Sequence, residues 1–172
     1  LRDGEEGIKH ISFKRKIIKV KPVKQHLVKD RFAYVRLTQF QKNSGKAIAQ
    51  SIKDLRKKVK GKKPLKGIIL DLRSNPGGLL DEAVNVSSLF LKRGIVVSTE
   101  GRNKQSKEIR YVNKSGEKFL DLPIVVLING ASASASEIVA GALQDHDRAI
   151  IMGSNSFGKG SVQTVAKIDD QA

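Results

Sequence analysis

Ser134, in the run Ser132-Ala133-Ser134-Ala135-Ser136-Glu137-Ile138, and Lys159, in Phe157-Gly158-Lys159-Gly160-Ser161-Val162-Gln163, are the side chains of this sequence best suited to chemistry. A serine hydroxyl is a weak nucleophile until a base stands beside it, and a lysine amine held neutral by burial can be that base. The pair points to Ser/Lys hydrolysis. Ser134 has a plainer reading as well: Ser-Ala-Ser-Glu is a capping box, in which the serine caps a helix and Glu137 reaches back to it. A helix N-terminus also offers free amides and the positive end of a dipole, which stabilise an oxyanion formed there.

Around Lys159, residues 153–160 come near a phosphate-binding P-loop, but Gly160 stands where that motif needs Ser or Thr for magnesium. The β-branched Val162, Thr164, Val165 and Ile168 that follow predict a strand where a P-loop opens a helix. A strand beginning near Lys159 would put Lys159, Ser161 and Gln163 on one face, with Gln163 able to orient the amine. The flanking glycines and Phe157 predict a constrained, partly apolar setting for a residue type that is usually solvated. Asn75-Pro76-Gly77-Gly78 reads as a turn between strand and helix; one oxyanion donor could come from Gly77 or Gly78 and another from Ala135. A plain turn is the simpler alternative.

The histidines are His10, His26 and His146. His146 lies between Asp145 and Asp147, but its place just past a helix marks it as a surface residue and not a triad base. No spacing of the HExxH kind is present, so neither metal nor cofactor is expected.

These residues need a scaffold of strand-to-helix loops, and the hydrophobic pattern supplies one. Phe32 to Leu37 alternates as a strand; Ala47, Ile48, Ile52, Leu55 and Val59 then recur at helical spacing between Ser44 and Val59. The pattern repeats with a strand over Leu65 to Leu72, the turn at 75–78, and a helix from Leu79 to Leu91 closed by Gly94. Ile95 to Ser98 is a further strand. Residues 101–116 form an exposed excursion with a β-like stretch at Ile109 to Val112, and a hairpin is one form it could take. Pro123 introduces Ile124 to Ile128, a run suited to a strand buried on both faces. A helix over Ser134 to Leu143, a strand over Ala149 to Met152 and a last strand over Val162 to Ile168 complete an α/β alternation. The first thirty residues read as a separate basic piece, with a loose strand over His10 to Val20 ended by Pro22.

The 172 residues suffice for one core, and the apolar runs are far too short to span a membrane. Cysteine is absent, which removes thiol nucleophiles, thiolate metal sites and disulfides. The charge of +16 favours anionic partners, an anionic membrane surface among them. The basic runs carry almost no interleaved aromatics, so they read as solvated faces and nucleic acid is not expected.

Leu70-Asp71-Leu72-Arg73-Ser74-Asn75-Pro76-Gly77-Gly78, the Ser132 to Asp145 segment and Phe157 to Gln163, in that order, resemble the carboxyl-terminal processing (tail-specific) proteases over about Phe32 to Ile168. The resemblance implies a ClpP/crotonase-like α/β core and a serine endopeptidase cutting proteins or peptides near accessible C-termini. It implies Ser134 as nucleophile, Lys159 as general base, Gln163 as its orienting partner, and Ala135 with Gly77 or Gly78 as the oxyanion hole. Asp145 matches an acidic position with a supporting role. Residues 1–30 would be the end of a PDZ-like domain and its connector, and 31–172 the protease core, truncated at its C-terminal end. The implied location is a bacterial periplasm or cell envelope, or alternatively a plastid lumen. Two other functions are open to the same sequence: a crotonase-like acyl-CoA enzyme, since one fold serves many functions, and a non-catalytic basic binding module.

Overall fold

The computed structural model describes residues 12–14, 21–59, 64–101 and 107–163. Its main sheet is built from β1 (Val23–Val28), β2 (Phe32–Leu37), β3 (Gly67–Asp71), β6 (Ile124–Ile128) and β7 (Ile150–Gly153), in that spatial order. β2, β3, β6 and β7 run parallel, and β1 is antiparallel to β2 at the edge. Between the parallel strands come α1 (Ser44–Lys58), α2 (Leu80–Ser88) and α3 (Ala135–Asp145), with α1 packed on α2 and α2 on α3. Successive crossovers stepping the same way across a parallel sheet deliver their helices to one face.

Strand alternation shows which face is covered. Ala33, Val35 and Leu37 of β2, Ile68 and Leu70 of β3, and Ile124 and Val126 of β6 are all buried, and they meet Ile48, Ile52 and Leu55 of α1 and Val139 and Leu143 of α3. Phe32, Tyr34 and Arg36 on the other face of β2 are only half-buried. β6 follows the same rule, with Val125 and Leu127 half-buried, so the two-faced burial expected from its apolar run is not what forms.

Several element bounds depart from the sequence reading for physical reasons. β1 falls inside the basic first thirty residues, where Lys24, Gln25 and His26 hide a strand whose alternate members Val23, Gln25 and Leu27 lie opposite Leu37, Val35 and Ala33. α2 stops at Ser88 because the chain turns over Leu89 and Phe90, and Lys118 reaches the carbonyls of Ser88 and Leu91 with Nζ at 2.8 and 3.1 Å. α1 has no acidic residue in its first turn; its amide end is met from α2, where Glu82 accepts from the amides of Asn43 and Gly45, both at 2.9 Å. Within the excursion β5 (Glu108–Tyr111) forms and pairs antiparallel with the strand before it, β4 (Ile95–Thr99), while residues 102–106 lie outside the described residues. The strand proposed over Val162 to Ile168 does not begin in the described part: Val162 and Gln163 are irregular and exposed, and the remainder lies outside the described residues. The loose strand over His10 to Val20 also falls almost wholly outside them. Among the described residues no helix is long and apolar enough to cross a membrane.

Candidate active site

Three loops leave the same ends of three neighbouring parallel strands: 72–79 after β3, 129–134 after β6, and 154–163 after β7. In parallel α/β sheets ligands bind at these carboxyl ends. The first loop is fixed from below by Asn75, which is fully buried. Its amide nitrogen Nδ2 donates to the Leu37 carbonyl at 2.8 Å, and its Oδ1 accepts from the Gly77 amide at 2.9 Å. The Asn75 carbonyl then receives the Ala133 amide at 3.0 Å and the Ser136 hydroxyl at 3.0 Å, joining the first loop to the second. Ser132, also fully buried, donates its hydroxyl to the Leu72 carbonyl at 2.8 Å. The outer two serines of the Ser-x-Ser-x-Ser run are thus fasteners, leaving Ser134 as the one turned towards the cleft.

Ser134 is the N-cap of α3 and holds φ 55° and ψ −115°. That combination lies outside the regions open to ordinary L-residues and costs on the order of 1–3 kcal/mol, a cost found chiefly where function requires a particular aim. Ser134 and Glu137 stand in the capping-box arrangement, but the serine hydroxyl forms no cap hydrogen bond. The bonds run elsewhere: the Ser134 amide donates to Glu137 Oε2 at 2.7 Å, and the Glu137 amide donates to the Ser134 carbonyl at 2.8 Å.

Gly77 is pressed against this turn. A Cβ at position 77 would stand 2.7 Å from the Ala133 carbonyl oxygen, 2.9 Å from the Ala135 nitrogen and 2.9 Å from the Ser134 Cβ, and the backbone there has φ +98°. A Cβ at Gly78, φ +141°, would meet the Phe40 carbonyl oxygen at 2.1 Å. Both positions therefore demand glycine. Their amides differ: that of Gly77 is taken by Asn75 Oδ1, whereas that of Gly78 has no partner among the described residues. Ala135, as the first residue of α3, has an amide with no partner inside the helix.

The third loop is held by Ser132, whose carbonyl accepts from the Phe157 amide at 2.9 Å, and by Glu137. Glu137 Oε1 accepts from the Ser156 hydroxyl at 2.7 Å and the Gly158 amide at 2.6 Å, and Oε2 accepts from the Lys159 amide at 3.0 Å. Burial raises the pKa of this carboxyl, but the Ser156, Gly158, Ser134 and Lys159 donors outweigh it and hold the pKa below the usual carboxylate value. The loop amides that a P-loop would offer a phosphate are occupied here by a carboxylate of the same chain.

Ser134, Lys159 and Gln163 all line one cleft of about 1150 Å³, walled by Leu79, Val97 and Ile138. Lys159 is exposed in it and Phe157 is 68% exposed, in place of the constrained, partly apolar setting expected from the flanking residues. Lys159, Ser161 and Gln163 reach the cleft from irregular backbone and not as one face of a strand. Asp145 ends α3 and is exposed, roughly 16 Å along the helix from Ser134 at 1.5 Å per residue, so it takes no part in the cleft. His146 caps the same helix end, its Nε2 2.8 Å from the Ile95 carbonyl oxygen. The residues that sequence reasoning passed over are Asn75, Ser132 and Ser136 as fasteners and Glu137 as more than a cap. Their only signals were an Asn at the start of a Gly-Gly turn and the serine alternation itself.

The comparisons with known proteins agree on one family. The model of peptidase family S41 matches residues 31–172. The carboxy-terminal-processing protease of Bartonella bacilliformis is 52% identical over 169 residues, covering 98% of this chain and 38% of that protein. The carboxyl-terminal-processing protease of Synechocystis is 37% identical over 176 residues, covering 100% of this chain and 39% of that protein. Among solved structures, a photosystem II D1 C-terminal processing protease superposes with a TM-score of 0.69 at 32% identity, covering 87% of this chain and 40% of the other. The chain thus spans about two fifths of the length of these relatives.

Proposed function

This chain belongs to peptidase family S41, and from that premise we propose that it carries the Ser/Lys dyad of a serine endopeptidase that cuts proteins near their C-termini. The observation that carries the proposal is the placement of Ser134, strained at the head of α3, in one cleft with Lys159 and Gln163.

In this reaction Lys159 Nζ takes the hydroxyl proton as Ser134 Oγ attacks a substrate carbonyl carbon. The amides of Ala135 and Gly78 receive the oxyanion; Gly77, whose amide is committed to Asn75, serves by admitting the close approach of the turn. The C–N bond breaks as protonated Lys159 gives its proton to the leaving amine. Water, deprotonated by the same amine, then releases the acyl group and restores Ser134. Gln163 orients the amine. The apolar wall of Leu79, Val97 and Ile138 suits an extended, unfolded polypeptide with apolar side chains at the cut.

In the same reading the parent enzyme works in a bacterial envelope or a plastid lumen, its substrates are polypeptides with free C-termini, and residues 1–30 are the end of a PDZ-like domain and its connector. The likeness of the core to ClpP and crotonase belongs to the same proposal. No observation favours the acyl-CoA or basic-module reading. The test is cleavage of an unfolded protein with an apolar C-terminus by the full-length protein beside its Ser134→Ala and Lys159→Ala forms. Loss of cleavage in both, with folding intact, supports the dyad; cleavage unaffected by either substitution refutes it.

A further inference from the structure

Glu137 touches both halves of the proposed dyad with one carboxylate. Oε2 accepts from the amides of Ser134 and Lys159, at 2.7 and 3.0 Å, and so links the nucleophile's own backbone to the backbone of its base. Oε1 accepts from the Ser156 hydroxyl and the Gly158 amide, at 2.7 and 2.6 Å, and fixes the loop just before the lysine. Three backbone amides and the Ser156 hydroxyl on two oxygens match the four lone-pair sites of an ionised carboxylate, and charge-assisted bonds of these lengths are the strong ones. A helix cap alone needs only the bond to the Ser134 amide. The other three reach 19 to 22 residues along the chain into a segment with no regular structure of its own. Among the described residues, the backbone network adds to these bonds only the Phe157 amide on the Ser132 carbonyl.

We infer that Glu137 is a positioning residue of the Ser134–Lys159 pair: its carboxylate docks the lysine-bearing loop onto the head of α3, setting the distance between nucleophile and base. The inference rests on the Ser/Lys reading above. It asks of Glu137 no proton transfer and no contact with substrate. Removing its charge leaves the side chains of Ser134, Lys159 and the cleft walls chemically unchanged while the loop that carries the lysine loses its anchor. The rate of Ser134 activation should therefore fall without a matching change in substrate binding. Misplacement of a reacting group by about 1 Å costs on the order of a hundredfold in rate.

The test uses the full-length protein and a small fluorophosphonate that labels an activated serine without needing the substrate groove. Glu137→Gln, which keeps the shape but has one acceptor oxygen in place of two, is expected to slow labelling of Ser134 by about a hundredfold. In proteolysis it should lower kcat with KM nearly unchanged, and Glu137→Asp should recover part of the rate. In a Lys159→Ala background Glu137→Gln should slow labelling no further, because a loop without its amine has nothing left to position. Full additivity in that background, or a wild-type labelling rate for folded Glu137→Gln, overturns the inference. Should Glu137→Gln fail to fold, Ser156→Ala decides, with several-fold slower labelling expected and an unchanged rate against it. If Lys159→Ala itself labels at the wild-type rate, the dyad falls; if it is slow while Glu137→Gln is not, the positioning role alone falls.

Discussion

A Cβ at Gly77 would lie 2.9 Å from the Ser134 Cβ, so the turn after β3 and the head of α3 are in contact through a position with no room for a side chain. Gly77→Ala must push the two loops apart and also force φ +98° on a residue that resists it. The expected cost is about 1–3 kcal/mol of stability. Loss of oxyanion geometry should add a fall in kcat of roughly a hundredfold to a thousandfold. Thermal unfolding and steady-state kinetics on the same preparation check both.

Asn75 is the fastener beneath that contact. Asn75→Ala strips the Leu37 carbonyl and the Gly77 amide of their partners in a fully buried place. Each group left unpaired costs about 1–3 kcal/mol. Denaturant unfolding should register that loss, and activity of the folded fraction should fall as well, since the freed Gly77 amide and its turn are next to the proposed oxyanion site.

Asp71, buried at the end of β3, accepts from Arg73 Nε at 2.9 Å and Nη2 at 2.7 Å, and from the Tyr34 hydroxyl. Burial raises the pKa of its carboxyl, but the Arg73 and Tyr34 donors outweigh burial and hold the pKa below the usual carboxylate value. A group whose folded-state pKa is depressed contributes stability that is present above its unfolded value and is lost as pH falls through the folded one. Asp71→Asn should cost about 1–3 kcal/mol at neutral pH. The gap from wild type should narrow in acid below the ordinary carboxylate range. Glu137 has the same sign, so wild type should lose stability in that window more steeply than either neutral variant. Thermal midpoints measured at neutral and acid pH decide it.

Lys118 offers a contrast away from the cleft. Its Nζ donates to the carbonyls of Ser88, Leu91 and Asn113 at 2.8, 3.1 and 2.8 Å, closing the end of α2. Lys118→Met should lower stability by about 1–3 kcal/mol. Labelling of Ser134 in the folded protein should stay at the wild-type rate, so stability and reactivity separate in this variant.

How much of this was legible in the sequence depended on whether the interaction was local. β2 over Phe32–Leu37 and β6 over Ile124–Ile128 were readable to the residue, because β-branched and apolar members mark them directly. β1 was not, since its polar members conceal an alternation that only pairing with β2 makes useful. The serine and lysine motifs could be seen, and so could the capping box. That Glu137 also binds Ser156, Gly158 and Lys159 could not, because those donors come from a loop brought back by β7. Nor could the sequence tell Gly77 from Gly78, a distinction made by Asn75 Oδ1. The expected apolar setting for Lys159 failed because flanking glycines and one aromatic do not make a wall; here Phe157 turns out to solvent.

The proposed reaction depends on Lys159 making Ser134 nucleophilic. The most direct measurement of that dependence is peptide mapping by mass spectrometry after brief exposure of the full-length protein to a fluorophosphonate. Wild type should carry a single adduct on Ser134, and folded Lys159→Ala almost none at the same time point. An adduct on another serine in an actively proteolytic sample, or equal labelling of Ser134 with and without the lysine, would contradict it.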